Sequence, residues 1–236
     1  MSSPASTVTL SAPGTSPDAS LRRSGWLFVG SLILFLVGLV AMSVNVDRFN
    51  AEQAAADDLG VTIHDVPARV LAAIAQEHSS LSLEIATSLP AVLGFVLLVM
   101  GVWTATPRAK ALGRAARLGA VVSMLGFTAS QSVFLALYAD PADVSWVLDR
   151  FSALVSTATA ASVMAGCASV LIVVLLLRAR GAARRTGAAV GAIAAISVLA
   201  APLPAVGGMP PLLPCLLAAI LGVPMIRTAR SSARHA

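Results

Sequence analysis

The side chains that could do metal or acid–base chemistry are concentrated between residues 47 and 84. The metal-ligand types in this stretch are His64, Asp65, Glu77, His78 and Glu84. Their spacing matches no ligand pattern such as HExxH, and no sequence feature holds the two histidines together. We therefore interpret them as solvated loop residues and predict no metal and no cofactor. If His64, His78 and an acid converged in the fold, they would instead form an enzyme site.

His78 supports a second hypothesis, that of pH sensing. It interrupts an apolar row whose members recur at spacings of three and four residues: Leu71, Ile74, His78, Leu81 and Ile85. Such a row forms one face of a helix. Protonation of the imidazole would place a charge in that face and weaken its packing, so His78 is a candidate pH-sensing residue.

Other catalytic constellations are missing from the sequence. It contains no CxxC pair, no Gly-rich phosphate loop and no recognisable serine nucleophile with its base. The two cysteines, Cys167 and Cys215, lie within apolar segments, which favours a packing role over thiol chemistry. We predict no catalytic residue, and the balance favours a protein that is not an enzyme.

Polar groups of another kind lie in the uncharged stretch from Leu118 to Tyr138, which is long enough to cross a hydrocarbon core of about 30 Å. Small residues on one face would let another helix approach closely. They are Gly119, Ser123, Gly126 and Ser130. We expect this stretch to be the central helix of a bundle. Ser162 and Gly166 predict similar close packing of the helix that follows.

Gln131 lies beside this row of small residues and has two interpretations. The favoured one is an interhelical hydrogen bond, worth about 0.6–2 kcal/mol. The alternative is that Gln131, Thr128 and Ser130 face a cavity or a polar path across the membrane. Because no Asp, Glu, Lys, Arg or His lies in the apolar segments, proton-coupled transport and charged selectivity rings lack their usual groups.

The elements that must position these residues are six apolar segments. The predicted spans are about 26–46, 85–104, 118–138, 155–177, 187–206 and 211–226. The last two share a stretch of 41 residues without charge, about twice the length of one crossing, and prolines and glycines from 202 to 211 mark the turn between them. A re-entrant hairpin is the alternative for this pair.

Two further helices are expected outside the spans. The first begins at an Asp65 N-cap and continues from Val66 into the second span as far as Thr104, with a kink near Pro90. The second is a short amphipathic helix between Asp140, as its N-cap, and Phe151.

The basic and acidic residues lie at opposite boundaries of the predicted membrane-spanning segments. The segments at one boundary hold thirteen basic residues and one acid, a net +12, and those at the other hold three arginines and ten acids, a net −7. By the positive-inside rule, both termini are cytoplasmic and residues 47–84 are extracytoplasmic. The overall +5 is thus a topology signal, and we predict no nucleic-acid partner.

Composition agrees with a membrane protein, because the chain is 57% apolar and 11% charged whereas soluble domains are about 25% charged. The predicted fold class is all-α, a polytopic membrane protein with six transmembrane helices. It comprises a disordered cytoplasmic tail (1–24), a transmembrane domain (25–228) with an extracytoplasmic loop (47–84), and a second cytoplasmic tail (229–236). We expect it in a bacterial cell membrane.

Three functions follow as hypotheses, in decreasing order of support. The first is a non-catalytic scaffold, sensor or accessory subunit whose segment 47–84 and basic cytoplasmic face contact partners. The second is a transporter or channel subunit for a small neutral or hydrophobic solute. The third is a membrane enzyme with an extracytoplasmic His/acid site. The predicted partners are the lipid bilayer and a protein at 47–84, and an oligomer is compatible with the sequence.

Overall fold

All secondary structure in the described part of the chain is helical. The structure, a computed structural model, describes residues 17–43, 45–107, 110–179, 184–200 and 211–232. The helices are α1 (Pro17–Met42), α2 (Val46–Leu59), α3 (Ala68–His78), α4 (Leu81–Ala105), α5 (Ala111–Leu135), α6 (Ser145–Leu148), α7 (Phe151–Ala179), α8 (Arg184–Ala200) and α9 (Leu213–Ser232). Most of the tail predicted to be disordered, nearly all of the turn predicted at 202–211 and the end of the second tail (233–236) lie outside these residues, whereas 17–24 are helical.

Four of the described helices are long and apolar enough to cross a membrane: α1, α4, α5 and α7. The all-α prediction is therefore confirmed, as are long apolar helices at the first four predicted spans. The apolar parts of α8 and α9 run only from Thr186 to Leu199 and from Leu213 to Arg227. Within the described residues, both are shorter than the ~20 residues of a full crossing, and the six-span topology stays a prediction.

The long helices pack in two pairs, α1 with α4 and α5 with α7, and the pairs meet through α4 and α5. The helix α9 lies against both α1 and α7, and α8 lies against α7. The expectation that the stretch from Leu118 to Tyr138 is central was wrong. The most apolar window of α7 is 56% buried and that of α5 only 28%, because α7 contacts α8 and α9 as well as α5.

Phenylalanines fill the junction of the two pairs. The rings of Phe95 and Phe127 stack at 4.6 Å between centroids, and Phe35 meets them at 5.9 and 5.6 Å. All three are at most 5% exposed. The thiols of Cys167 and Cys215 are free and buried in the same core, which agrees with the packing role expected of them.

A second, smaller core lies at one end of the bundle. There α2 and α3, joined by a 3-10 turn (Ile63–Asp65), pack on the end of α5 and the start of α7. Its buried members are Ala56, Val66, Leu71, Ala72, Ala75, Leu137, Leu148 and Phe151. We call residues 45–80 the cap and this end of the bundle the cap end. The opposite end, which carries the start of α1 and of α5, is the basic end.

The predicted continuous helix from Val66 to Thr104 was wrong, because the chain breaks between α3 and α4. Ser79 and Ser80 are both extended, and the Ser80 hydroxyl accepts a hydrogen bond from the Leu83 N–H, which starts a new helix. A serine that caps the next helix competes with continuation of the previous one. Pro90 does lie inside α4, as expected.

Two smaller expectations also need correction. Asp65 does not cap α3; the carboxylate accepts a hydrogen bond from the Thr62 hydroxyl at 2.7 Å, and Pro67 occupies the N-cap position. The amphipathic helix expected after Asp140 is reduced to the four residues of α6. The Asp140 carboxylate does accept a hydrogen bond from the Ala142 N–H, as an N-cap would, but residues 141–144 form turns and the helix begins only at Ser145.

Candidate functional site

The most concentrated polar chemistry in the described chain is a buried network beneath the cap, centred on Arg48. Its Nε donates to Glu52 Oε1 at 2.7 Å, and its Nη1 donates to Glu84 Oε2 at 2.7 Å and to Tyr138 Oη at 2.9 Å. The Tyr138 hydroxyl donates in turn to Glu84 Oε2 at 3.2 Å. The side chains of Arg48 and Glu84 are almost inaccessible, at 10% and 8% exposure.

Three separate elements supply this network. Arg48 and Glu52 are one turn apart on α2, the spacing at which helical side chains meet. Glu84 is in the first turn of α4, where the helix dipole favours a carboxylate. Tyr138 closes the 3-10 turn that follows α5. The cap is thus tied by one guanidinium to the ends of two of the four long apolar helices.

The electrostatics favour a permanently charged Arg48. Burial by itself would lower the pKa of the guanidinium, but the hydrogen bond and charge of Glu52, followed by the charge of Glu84, outweigh it and raise the pKa above its ordinary value. Buried charges of this kind are tolerated only when paired and hydrogen-bonded. The network is therefore a clamp whose parts depend on one another.

Weaker contacts extend the clamp around the edge of the cap. The Asn45 amide donates to the Ser79 hydroxyl at 2.8 Å, joining the two ends of the cap. The Gln76 amide donates to the carbonyls of Leu137 and Ala139 at 3.0 and 3.2 Å. These bonds satisfy backbone carbonyls where the 3-10 turn ends, so the cap also closes the end of α5.

The candidate metal and pH residues do not join this network, Glu84 excepted. His78 is exposed at the end of α3, with Nε2 4.0 Å from Glu77 Oε2. The break after α3 separates it from Leu81 and Ile85, so the continuous apolar row does not form. The side chain of His64 lies outside the described residues. Among the side chains that are described, no three His, Cys, Asp or Glu come together as metal ligands would.

The small residues of α5 and α7 meet each other. The Ser123 hydroxyl donates to the Ser162 carbonyl and the Ser162 hydroxyl donates to the Ser123 carbonyl, each at 2.7 Å. A Cβ at Gly126 would lie 2.9 Å from the Ala158 carbonyl oxygen, and one at Gly119 would lie 2.5 Å from Ser169 Oγ. The two backbones are therefore in direct contact.

Gly166 marks the place where a third helix enters this contact. A Cβ there would lie 2.6 Å from Ser123 Oγ on one side and 2.7 Å from the Pro214 ring on the other. Only a glycine lets α5, α7 and the start of α9 approach one another so closely.

The interhelical bond expected of Gln131 is supplied by its neighbour in sequence. Ser130 Oγ and Thr159 Oγ1 are 3.1 Å apart across the contact of α5 and α7, whereas Gln131 is only partly buried at its edge. The sequence predicted that Ser130 lies on the packing face, but the interhelical hydrogen bond was assigned to the side-chain amide of Gln131. The roles of these residues in function stay predictions.

Sequence reasoning missed the clamp. It treated Glu84 as one of several solvated loop residues and Tyr138 only as the last residue of an apolar span. The available signal was Arg48, which is one of only two arginines among the seven acids of the segment from 47 to 84. A cation in such an acidic segment has several possible partners, so the position of Arg48 in the chain does not reveal which carboxylates it binds.

Comparison with known proteins provides no family for this chain. No family model matches it, and neither the curated proteins nor the solved structures contain a match. The clamp beneath the cap and the close contact of α5 with α7 are therefore the two features on which a functional proposal can rest.

Proposed function

We propose that this chain is a non-catalytic membrane scaffold, sensor or accessory subunit whose cap binds a partner protein outside the cytoplasm. It spans the membrane six times, with both termini in the cytoplasm of a bacterial cell. The observation that carries the proposal is the clamp, because Arg48, Glu84 and Tyr138 hold a folded module on the ends of two apolar helices. A buried ion network of this kind makes a docking platform rigid with respect to the membrane.

The orientation rests on the distribution of charge. Arg22 and Arg23 lie in the first turns of α1, and Arg114 and Arg117 lie at the start of α5, so all four belong to the basic end. The cap end carries the acidic residues of α2 and α3. Positive residues at one end of a set of apolar helices favour a cytoplasmic location for that end.

The chemistry of the cap surface indicates what the partner offers. Asp47, Asp57 and Asp58 on α2 are exposed, and Phe49 and Leu59 of the same helix are 58% and 51% exposed. An acidic helix with protruding apolar side chains suits a basic protein surface with a small apolar centre. Binding of a partner at α2 would change the contacts of Arg48, and through them the positions of α4 and α5. A sensor could transmit its signal to the membrane-spanning helices in this way.

The other two functions receive less support. A transport path along Gln131, Ser130 and Thr128 needs space between α5 and α7, but Ser123 and Ser162 join those helices by paired hydrogen bonds in this conformation. An enzyme site needs His78 close to acids that could work with it, but the carboxylate 4.0 Å from its ring, that of Glu77, belongs to a 78% exposed side chain.

A pair of charge reversals tests the proposal. Asp58→Lys changes an exposed acid of the cap, and Asp143→Lys makes the same change at an exposed acid before α6, outside the cap. After extraction in mild detergent, we expect the wild-type chain and the Asp143 variant to retain a stoichiometric protein partner that the Asp58 variant loses, with release accelerated by salt.

Two outcomes would contradict the proposal. One is a wild-type chain that purifies without any stoichiometric protein from native membranes. The other is equal loss of the partner in both variants, because that would mean that the α2 surface is not the contact. Orientation is tested separately by labelling single cysteines placed at Asp58 and Arg114 with an impermeant reagent in intact cells; only the first is expected to react.

A further inference from the structure

A groove lies between α1 and α4 at the basic end. Its volume is about 510 Å³ and it is lined by Ala19, Arg22, Arg23, Trp26, Leu27 and Leu97. The groove is shallow and open, unlike the clefts that bury most of the surface of a small ligand. The groove is open along one side, so a ligand would lie in it lengthwise and remain partly exposed.

The lining divides into a charged end and an apolar floor. Arg22 and Arg23 belong to the first two turns of α1 and are exposed, so their guanidinium groups form the charged end. Trp26, 51% exposed, comes next, and Leu27 and Leu97 form the floor. Gly30 brings the two helices together there, since a Cβ at this position would lie 3.1 Å from Leu97 Cδ1.

The apolar floor continues along the helices beyond the groove. On α1, Leu34 and Val37 follow Leu27 and Gly30 at helical spacing, and Val37 is 49% exposed. On α4, Leu93 lies one turn from Leu97 and is 43% exposed. A ligand whose charged group met the arginines would therefore have an uninterrupted apolar surface for a long hydrocarbon chain.

We infer that this groove binds an anionic phospholipid, with the phosphate between Arg22 and Arg23 and an acyl chain along Leu27, Leu97 and Leu93. Charge complementarity selects an anion, and the long apolar floor selects a lipid over a soluble phosphate. Trp26, with an apolar body and an N–H donor, is suited to the headgroup boundary between the two. Basic residues at the end of an apolar helix attract anionic lipids by the same physics.

The site is independent of the cap, because it lies at the opposite end of α1 and α4. It adds a specific lipid to the proposed scaffold and does not depend on whether a protein partner exists. Bound lipid would also cover apolar surface where α1 meets α4, so it would stabilise that helix pair by mass action.

Native mass spectrometry of the purified full-length chain tests the inference. Delipidated protein is titrated with phosphatidylglycerol or with phosphatidylcholine of the same acyl chains. We expect preferential retention of phosphatidylglycerol, and a loss of affinity of about tenfold or more in Arg22→Gln/Arg23→Gln, since each arginine near an anionic lipid contributes about fivefold. The matched control is Arg114→Gln/Arg178→Gln, which removes two exposed arginines from α5 and α7 and should retain the lipid.

A second variant probes the apolar part without changing charge. Trp26→Ala should weaken phosphatidylglycerol binding several-fold and leave the preference over phosphatidylcholine in place. The inference is overturned if both arginine pairs lose the lipid equally, if phosphatidylcholine binds as tightly, or if glycerol 3-phosphate displaces the lipid at the same concentration. That last result would assign the arginines to a soluble phosphate.

Discussion

Two buried arginines, Arg48 at the cap end and Arg117 at the basic end, are equally hidden but differently held. Each is 8% exposed. Arg48 binds two carboxylates and a phenol that come from α2, α4 and the end of α5. Arg117 donates to the Thr106 hydroxyl at 3.0 Å, to the Thr106 carbonyl and to the Trp103 carbonyl at 3.2 Å, and lies 5.2 Å from the Trp103 ring centre.

The difference lies in how far along the chain each arginine reaches. The bonds of Arg48 to Glu84 and Tyr138 cross 36 and 90 residues of sequence, whereas those of Arg117 to Thr106 and Trp103 cross 11 and 14. Arg117 therefore fixes the turn between two consecutive helices, and Arg48 couples a module outside the bundle to its core. Two equally buried arginines therefore differ in how much of the fold their substitution would disturb.

The largest effect is expected from Arg48→Met, which leaves Glu84 buried without its cation. Breaking a buried ion pair from one side costs about 3–5 kcal/mol. Hydrogen exchange should show the amides of α2 and α3 losing protection while the centres of α4 and α7 keep theirs, and thermal unfolding in detergent should report the loss. If the cap stayed as protected as in wild type, the clamp would not be what holds it.

Matched variants sharpen that result. Arg48→Met/Glu84→Leu removes the more deeply buried ion pair and should recover part of the stability, because only Glu52, whose side chain is 15% exposed, is left without its cation. Arg69→Met breaks an exposed ion pair with Asp149, whose two side chains are 70% and 60% exposed, and should cost less than about 1 kcal/mol.

The pH dependence follows from the direction of the pKa shift of Arg48. A base whose pKa is raised by folding adds stability that is fully present below its unfolded pKa and is lost as the pH rises through the folded pKa. The difference between wild type and Arg48→Met should therefore be constant from about pH 7 to pH 9. A gap that closed within this window would mean that another titrating group controls the cap.

Arg117→Met should have a smaller and more local effect. The bonds it removes go to the hydroxyl and carbonyl of Thr106 and to the carbonyl of Trp103, which are neutral groups, whereas Arg48→Met leaves a buried carboxylate without its cation. Exchange should accelerate at the start of α5 and leave the cap unchanged. Loosening of the cap in this variant would erase the distinction between the two arginines.

The contrast also shows what the sequence could predict. Apolar length and absence of charge located the four long helices, because a membrane-sized apolar run is a local property of the chain. Spacing placed Gly126 and Ser162 on packing faces for the same reason. Arg48, Glu84 and Tyr138 could not be joined, since they are far apart in sequence and each has an ordinary local explanation.

The other wrong predictions concern the helix through His78 and the central position of α5. The apolar row through His78 and Leu81 has helical spacing, yet Ser80 starts a new helix by capping it, and periodicity carries no information about that choice. Likewise, the row of small residues identified a contact face on α5. It did not show how deeply α5 is buried compared with α7, because that depends on where α8 and α9 pack.

Ser162→Ala, at the contact of α5 with α7, is expected to lower stability less than Arg117→Met does. It removes the hydroxyl that donates to the Ser123 carbonyl but keeps the close backbone approach. Interhelical hydrogen bonds in membrane proteins contribute about 0.6 kcal/mol on average, with a maximum near 1.7. Thermal unfolding should shift slightly, with no change of cap protection, and Ser156→Ala serves as control because that hydroxyl bonds within its own helix to the Ala153 carbonyl.

The smallest effect is expected at His78, which tests whether the cap responds to acid. The ring is exposed at the end of α3, so protonation adds a charge that water can solvate instead of one placed among packed apolar groups. Cap protection in wild type and in His78→Leu should follow the same course between about pH 5 and pH 8. If the wild-type cap loosened at the acidic end and the variant did not, His78 would be a pH sensor that acts through the cap, and the edge formed by Asn45 and Ser79 would be the place where it acts.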